Sequence, residues 1–294
     1  MIKLQTKVDL GKSKIGISFD DKILVLENCF ADNIGQKLIQ AGLNVCLNPF
    51  GTLYNPVSVS NALERISEGR LFSKEDCVEM GTGAGLICSF SHHPSFARKS
   101  CEDFLLEAND SIEKAHHFYK SCNKLIISLG TSWCYNLKST GETVSNCLKR
   151  NASEFNRVRL SLPQIVEILS QMVLNLDSEE RGVPDKEIIL TVSPIRHLAD
   201  GAHGNQLSKS LLLLAAESLC QEFPSRVEYF PSYEIMMDEL RDYRFYADDM
   251  VHPSGVAVNY LWERFIDFAL LEKEKEKLLL NEKLYKQSLH RPLH

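Results

Sequence analysis

Apolar residues along the chain fall into two patterns, short continuous runs and longer stretches with helical spacing. Each run ends in turn residues, and the five clearest cover residues 23–27, 44–49, 124–130, 187–193 and 227–232. Between most of the runs lie amphipathic stretches at residues 32–41, 57–67, 101–121, 162–176 and 206–220. Continuous apolar strands that alternate with amphipathic helices are typical of a parallel sheet covered on both faces. The pattern therefore predicts one doubly wound α/β domain.

Length and composition agree with a single large domain and a short tail. Of the 294 residues, 44% are hydrophobic, which is enough for a sizeable core. We place the domain at residues 1–271. Residues 272–294 are rich in Lys, Glu and Leu, and they predict an exposed helix or a partly ordered extension.

Charge and cysteine usage narrow the class of protein. A formal net charge of −6 argues against a nucleic-acid binder, which normally has a concentrated basic face. No apolar run approaches the roughly 20 residues of a membrane span, and the first residues do not resemble a secretion signal. The nine cysteines form no CxxC pair, so reduced thiols and no metal site are expected. The sequence predicts a cytoplasmic protein that binds neither nucleic acid nor membrane.

Residues that can support chemistry follow the apolar runs. Asn28 and Cys29 come after the first run, and the other positions are 48–55, 130–133, 193–197 and 249–253. The carboxyl ends of parallel strands meet at one edge of a sheet, and ligands bind there. We therefore expect a site where these loops converge.

The junction at Cys29 is compatible with two interpretations. Unpaired N–H groups at a helix start stabilise negative charge, so they lower the pKa of a thiol and hold an oxyanion. In that interpretation Cys29 is a nucleophile. Alternatively, Cys29 is a small buried hydrophobe, which is the commonest fate of a free cysteine.

Asp249 and His252 form a D-x-x-H pattern that favours the catalytic interpretation. Three residues of separation let one loop place an imidazole beside a carboxylate, which fixes the ring tautomer and stabilises the imidazolium. Pro253 follows directly and can begin the last helix of the domain. The alternative is an ordinary capped turn in which His252 has no chemical role.

Six segments together resemble the GSCFA domain family, which belongs to the SGNH hydrolase-like group. In chain order they are CFADNIGQKL (29–38), NPFGTLYNPVSV (48–59), LGTSW (129–133), NCLK (146–149), TVSPIRHLADGAHGNQLSK (191–209) and RDYRFYADDMVHPS (241–254). The resemblance implies a flavodoxin-like three-layer sandwich with a central parallel sheet. It also implies an esterase, lipase or carbohydrate deacetylase that uses a nucleophile and a C-terminal D-x-x-H.

The chain departs from the family at its name motif. Where the family has Gly-Ser-Cys-Phe-Ala, this chain has Glu27-Asn28-Cys29-Phe30-Ala31. If the family serine is the nucleophile, Asn28 cannot replace it, because an amide has no ionisable nucleophilic atom. If the third position carries the nucleophile, Cys29 occupies it and a thiol beside a histidine is competent for acyl transfer. A second departure is Leu148, where the family usually has histidine.

The resemblance also implies roles for the remaining loop residues. SGNH sites hold the oxyanion with the N–H of the nucleophile, a glycine N–H after the second strand and an asparagine side chain after the third. Here Gly51 is the glycine candidate, Asn48 and Asn55 are nearby donors, and Ser132 stands at the asparagine position. The side chains that line the crevice are expected to be Asn28, His92, His93, Arg196 and His197. Arg196 has two possible roles, binding an anionic substrate group through its planar fork or pairing with Asp200 to hold its own loop.

Two functional hypotheses follow. In the first, the chain is an SGNH-like hydrolase or acyl-transferase for a small-molecule or carbohydrate ester, with catalytic residues Cys29, Asp249 and His252 and no cofactor. In the second, it is a catalytically inactive member of the family that binds a ligand or a partner, because Glu27, Asn28 and Leu148 replace family residues and Ser132 stands where SGNH enzymes have asparagine.

Overall fold

The computed structural model describes residues 6–26, 28–176 and 185–289, apart from the side chains of residues 29–32 and 289. Within those ranges the strands are β1 (Lys22–Leu26), β2 (Asn44–Leu47), β3 (Val78–Glu79), β4 (Ile87–Cys88), β5 (Lys124–Leu129), β6 (Trp133–Leu137), β7 (Thr143–Val144), β8 (Phe155–Arg159), β9 (Glu187–Val192) and β10 (Val227–Phe230).

The helices of the same ranges alternate with the long strands. They are α1 (Cys29–Gln40), α2 (Pro56–Glu68), α3 (Cys101–Tyr119), α4 (Leu162–Leu174), α5 (Gly201–Glu222), α6 (Ser232–Glu234), α7 (Gly255–Ala269) and α8 (Lys275–Leu289). α6 continues into a π-helical turn, Ile235–Leu240. The five predicted strands and five predicted helices are all present, and α1 begins three residues earlier than its spacing predicts.

The central sheet contains five parallel strands in the order β10-β9-β5-β1-β2. Numbered among themselves, these strands follow the order 2-1-3-4-5, which is the flavodoxin-like arrangement of doubly wound sheets. The strand order reverses between β1 and β5, so the carboxyl ends of these two strands mark the expected ligand crevice. The predicted α/β fold with a central parallel sheet is confirmed.

Two hydrophobic cores cover the two faces of the sheet. Leu24 and Leu26 of β1 point into the core that α2, α3, α4 and α5 build. Ile23 and Val25 point into the other core, which α1 and α7 build together with Leu278 of α8. Successive side chains of a strand alternate between faces, so a continuous apolar run serves both cores. This is the three-layer sandwich that the family resemblance implies, and the apolar run of β1 fits a sheet covered on both faces.

A small antiparallel sheet, β7-β6-β8, was not predicted from the sequence. β8 has the sequence FNRVR, and only Phe155 among its five residues is buried. A strand so exposed lacks the apolar run by which the longer strands are identified. The sheet follows β5 directly, so it forms a wall at the carboxyl edge of the central sheet.

The cysteines differ from the sequence expectation at one pair. Cys77 and Cys101 form a disulfide between the segment before β3 and the start of α3. The expectation that all thiols are reduced is wrong for this pair. Six further cysteines in the described part of the chain are free: Cys46, Cys88, Cys122, Cys134, Cys147 and Cys220. Burial raises the pKa of each of these six thiols.

The C-terminal segment forms α8, which packs beside α1 and α7. Trp262 Nε1 donates to Glu282 over 3.0 Å, and Asn281 Nδ2 donates to the Ala41 carbonyl over 2.7 Å. Residues 290–294 lie outside the described residues. In the ranges that the structure describes, no helix combines the length and the apolar character needed to cross a bilayer.

Candidate functional site

The loop before α7 holds Asp249 and His252 side by side. His252 Nδ1 and Asp249 Oδ2 are 2.6 Å apart, as a hydrogen bond requires. Asp249 Oδ1 accepts from the backbone N–H groups of Val251 and His252 at 2.8 and 3.0 Å. The His252 N–H, the His252 ring and the Val251 N–H together lower the pKa of Asp249 to about 2. When the ring is neutral, an Nδ1–H donated to this carboxylate leaves the lone pair on Nε2. The predicted Asp249–His252 hydrogen bond is present.

Two contacts attach this loop to the carboxyl end of β9. The backbone N–H of Arg196 donates to the Val251 carbonyl, and Arg196 Nη1 donates to the Met250 carbonyl, both over 3.1 Å. Within the loop, the Ala247 N–H donates to the His252 carbonyl over 2.7 Å. The His252 side chain is 43% exposed. The loop is therefore fixed at the sheet edge while its imidazole remains accessible.

The junction between β1 and α1 lies at the strand reversal point. Asn28 is only 1% exposed, and its Nδ2 lies 3.5 Å from Ser128 Oγ on β5. α1 begins at Cys29, immediately after Asn28. Glu27 and the side chain of Cys29 lie outside the described residues. The predicted pairing of the Cys29 thiol with His252 therefore stays a prediction.

Gly130, directly after β5, is where the loops meet. Its N–H donates to the Tyr54 carbonyl over 2.8 Å. A Cβ at this position would lie 3.1 Å from the Tyr54 carbonyl oxygen, 3.2 Å from Asn28 Nδ2 and 3.5 Å from His197 Nε2. Side chains larger than glycine would push these loops apart. The loops after β1, β2, β5 and β9 thus converge at one point, as the sequence predicts.

Two of the predicted oxyanion donors, Gly51 and Asn55, differ in whether their N–H groups already donate within the protein. The Gly51 N–H donates to the Asn48 carbonyl over 2.8 Å, within a turn where Gly51 has a φ of +74°. Asn55 Oδ1 caps α2 by accepting from the Ser58 N–H over 2.9 Å. Asn55 also lines the crevice described below, so its Nδ2 amide is the donor that remains for a ligand.

Ser132, the third predicted donor, is directed into the protein. It is 0% exposed, and its hydroxyl lies 3.1 Å from Ser208 Oγ on α5. Its backbone N–H donates to the same Ser208 oxygen over 2.8 Å. The pair joins the loop after β5 to α5, and this bonding keeps the Ser132 hydroxyl away from the crevice.

His92 is packed among aromatic rings rather than in the crevice. It is 1% exposed, and its Nδ1 lies 2.7 Å from Ser89 Oγ. Burial, followed by the charge of Arg65, lowers its pKa to about 3. The ring centroids of four phenylalanines lie 4.6–5.4 Å from the imidazole centroid: Phe50, Phe72, Phe96 and Phe104. This burial does not support the substrate-binding role predicted for His92.

His93 supports the turn that contains Gly51. Its backbone N–H donates to the Phe50 carbonyl over 2.9 Å, and its Nδ1 lies 3.0 Å from Ser95 Oγ. A Cβ at Gly51 would lie 2.5 Å from the His93 Cβ, so the glycine is required by close packing as well as by its φ. The contacts of His93 with these residues hold the turn.

His197 faces the crevice in its neutral form. Burial, and next the charge of Lys209, lowers its pKa to about 4, while Asp200 and the Gly130 carbonyl oppose this shift. Its Nε2 is buried without a hydrogen bond of regular geometry to any described residue. The backbone N–H of His197 donates to Asn205 Oδ1 over 2.9 Å, which fixes the loop to α5.

Lys209 is a buried lysine that was not among the site residues predicted from the sequence. Its Nζ donates to the Gly130 carbonyl over 2.6 Å and to the Ser193 carbonyl over 2.7 Å, which ties the ends of β5 and β9 together. Burial lowers its pKa to about 7. A signal was present in the sequence: Lys209 stands three and seven residues before Leu212 and Ala216, on the buried stripe of α5.

A cavity of about 540 Å³, hereafter the crevice, opens at this sheet edge. Its walls come from the loops after β2, β5 and β9, from the antiparallel sheet and from the loop before α7. The lining includes Tyr54, Asn55, Trp133, Tyr135, Asn146, Cys147, Arg157, Arg196, His197, Asp200 and Val251. No cluster of three or more His, Cys, Asp or Glu side chains that could hold a metal ion occurs among the described residues.

One predicted interaction at the crevice is wrong. Asp200 forms an ion pair with Arg157 on β8, and the Arg157 guanidinium lies 4.1 Å from the Trp133 ring centroid. Among the described residues, Asp200 has its ion pair with Arg157 and none with Arg196, so the alternative in which Arg196 pairs with Asp200 is wrong. The reason is the antiparallel sheet, which brings a second arginine to the crevice and was not predicted.

Comparison with known proteins supports the resemblance seen in the sequence. The sequence profile of the GSCFA family matches residues 22–265, which include every strand of the central sheet and the loop that carries Asp249 and His252. No curated protein and no solved structure matches the chain.

Proposed function

The chain belongs to the GSCFA family, and on that premise we propose that it is an SGNH-like hydrolase or acyl-transferase that cleaves an ester by covalent catalysis. The observation that carries the proposal is the 2.6 Å hydrogen bond between His252 and Asp249 in an accessible loop, attached to the strand end that borders the crevice. A histidine oriented by a carboxylate is the arrangement that activates a hydroxyl or thiol nucleophile.

In the proposed mechanism, His252 Nε2 takes the proton of the Cys29 thiol, and the thiolate attacks the acyl carbonyl. The resulting tetrahedral intermediate collapses to a thioester, and the imidazolium returns its proton to the departing alcohol. Water or a second hydroxyl then attacks the thioester with His252 as the base, which regenerates the thiol. The position of Cys29 at the start of α1 supports this role, because first-turn N–H groups lack partners within a helix and favour an anion.

For the oxyanion, we propose the Cys29 N–H and the Asn55 amide. Asn55 lines the crevice, and its Oδ1 is held by the helix cap, which orients the Nδ2 group. Gly51 and Ser132 are weaker candidates than the sequence indicates, because their donors are engaged with Asn48 and Ser208. Loss of one good oxyanion donor typically slows turnover about 100- to 1,000-fold.

The test compares turnover of short acyl esters by the wild type, Cys29→Ala and Cys147→Ala. Cys147 is the matched control, because it is a free thiol that lines the crevice and burial raises its pKa. We expect Cys29→Ala to abolish turnover and Cys147→Ala to change it less than threefold. Mass spectrometry of brief alkylation near neutral pH should show Cys29 labelled far faster than the six other free thiols. Equal turnover by the two variants would overturn the proposal.

A specific observation favours a second candidate, a family member that binds a ligand without cleaving it. Asn28, which replaces the family serine, is buried, and the Gly51 and Ser132 donors are already engaged within the protein. In this case no ester is turned over, and Cys29 reacts no faster than the other thiols. Ligands that raise the melting temperature of both the wild type and Cys29→Ala would then identify the bound chemistry.

A further inference from the structure

Arg196 stands where the crevice meets a second cavity. This side cavity, of about 320 Å³, is lined mainly by aromatic and apolar side chains that include Tyr233, Met236, Met237, Tyr243 and Tyr246. Arg196 and Leu198 line both spaces. The two cavities are therefore adjacent, and Arg196 lies at the boundary between them.

Among the described residues that line the two cavities, charges are balanced except at Arg196. Each other Asp or Arg that lines them has an opposite charge within 4.0 Å: Arg157 with Asp200, Arg241 with Asp238, and Asp242 with Arg244. Within the described part of the chain, Arg196 has no carboxylate at that distance. His197 is neutral near neutral pH. The described lining of the two cavities thus carries one uncompensated positive charge, at the boundary between them.

The contacts of Arg196 orient the guanidinium without neutralising it. Nη1 donates to the Met250 carbonyl over 3.1 Å, and the group lies 5.2 Å and 5.9 Å from the ring centroids of Tyr246 and Tyr243. Aromatic faces attract a cation but do not occupy its N–H donors. A guanidinium has five such donors in a rigid fork, so most of them remain for a ligand.

We propose that Arg196 binds an anionic oxygen group, a carboxylate or a phosphate, on the ester substrate. This inference deepens the proposed function and rests on it, because the bound ester is a substrate only if the protein cleaves it. A planar fork matches two oxygens of a carboxylate or phosphate at once, which adds directional specificity to the charge attraction. The substrate class is accordingly an ester that bears an anion on the part of the molecule lying between the crevice and the side cavity.

The decisive experiment measures how strongly the protein prefers an anionic ester over the matching neutral ester. Wild type, Arg196→Gln and Arg241→Gln are compared on 4-nitrophenyl hydrogen glutarate, which has a free carboxylate, and on 4-nitrophenyl methyl glutarate, in which that carboxylate is methylated. A second arm compares acetylglycerol 3-phosphate with acetylglycerol and separates a phosphate from a carboxylate. Arg241 is the matched control, because it lines the side cavity but has Asp238 at 3.8 Å.

We expect the wild type to prefer one anionic ester at least tenfold in kcat/KM. Arg196→Gln should lower kcat/KM for that ester about 10- to 100-fold, as expected for lost charge-assisted hydrogen bonds, and change the neutral ester less than threefold. Arg241→Gln should leave the preference within twofold. An equal loss on both esters would assign Arg196 to loop support alone, through its bond to Met250, and would overturn the inference.

A binding measurement separates this inference from the proposed function. If no ester is cleaved, titration calorimetry with monomethyl glutarate and with inorganic phosphate tests the site directly. Binding of either anion by the wild type but not by Arg196→Gln supports the anion site while the hydrolase proposal fails. Absence of binding by the wild type, or equal binding by both proteins, overturns the anion site whatever the turnover shows.

Discussion

His252 and His92 are two histidines to which the family resemblance assigns a role in the site, and their surroundings are opposite. His252 is accessible and shares a hydrogen bond with the Asp249 carboxylate. His92 is buried among phenylalanine rings, and its Nδ1 faces the neutral hydroxyl of Ser89. A carboxylate stabilises an imidazolium, whereas an apolar enclosure penalises it. The residue type is the same, but of these two rings only His252 has surroundings that suit the proton transfers of the proposed mechanism.

The surroundings of His92 and His252 also predict different consequences when each imidazole ring is replaced. At His92 the ring fills volume within a core, so its substitution should affect stability. At His252 the ring contributes little burial, so its substitution should affect chemistry. The two sites therefore make matched pairs, in which the same exchange is expected to have different consequences.

The largest expected effect is the loss of turnover in His252→Ala. Removal of a general base and its acid role typically costs about 100- to 10,000-fold in rate, and we expect a fall in kcat within that range for an ester that the wild type cleaves. Steady-state kinetics provide the measurement, with circular dichroism to verify folding. His92→Phe, which keeps an aromatic ring in the core, should retain kcat within about threefold. A comparable fall in both variants would contradict the division between the two histidines.

The second effect is on stability and has the opposite pattern. His92→Ala leaves a cavity among four phenylalanines, and we expect it to lower the free energy of unfolding by about 3 kcal/mol. His252→Ala, at an accessible position, should lower it by less than about 1 kcal/mol. Urea unfolding followed by fluorescence gives both values. A loss at His92 below that at His252 would show that the aromatic cluster does not depend on the imidazole.

Much of the fold could be predicted because its signals are local. The strand β1 reveals itself by four consecutive apolar residues, and the amphipathic stretches by their spacing. The exposed strand β8 could not be found this way, since its packing against β6 depends on partners remote in sequence. Because β8 was not predicted, the ion pair between its Arg157 and Asp200 was not predicted either.

In the candidate site too, contacts within one loop could be predicted and contacts between distant segments could not. Three residues of separation were enough to predict the Asp249–His252 hydrogen bond, because one turn of the chain forms it. The burial of His92 and the bond between Ser132 and Ser208 depend on distant segments, and residue type alone does not determine them. The burial of Lys209 could have been predicted from its place on an apolar stripe. A buried lysine needs hydrogen-bond partners for its Nζ, so a structural role was also predictable.

A smaller effect is expected from Asp249→Asn, which removes the carboxylate beside His252 and keeps the imidazole ring. The amide can still accept from the Val251 and His252 N–H groups, but its NH₂ group favours the imidazole tautomer with the lone pair on Nδ1. We expect kcat to fall about 10- to 100-fold, less than for a buried triad aspartate, whose replacement costs about 10,000-fold. Steady-state kinetics from pH 8 to 9 give the factor. The Asp249 carboxylate stays charged there, because its pKa is lowered to about 2. A fall in kcat of less than about threefold would show that the carboxylate does not orient the imidazole.

The smallest expected effect is the contribution of the His92 ring to the pH dependence of stability. Because its pKa is lowered from 6.5 to about 3 in the folded chain, the folded ring stays neutral while the unfolded ring gains a proton below pH 6.5. Proton uptake then favours unfolding, so the stabilising contribution is complete above pH 6.5 and decreases as the pH falls toward 3. Between pH 7 and 5.5, the wild type should lose about 1 kcal/mol relative to His92→Phe, whose ring cannot titrate. Urea unfolding of both proteins at the two pH values gives this difference, in which acid effects common to both cancel. A constant difference would mean that the His92 ring is protonated as readily in the folded chain as in the unfolded one, and the contrast with His252 would then lose its electrostatic basis.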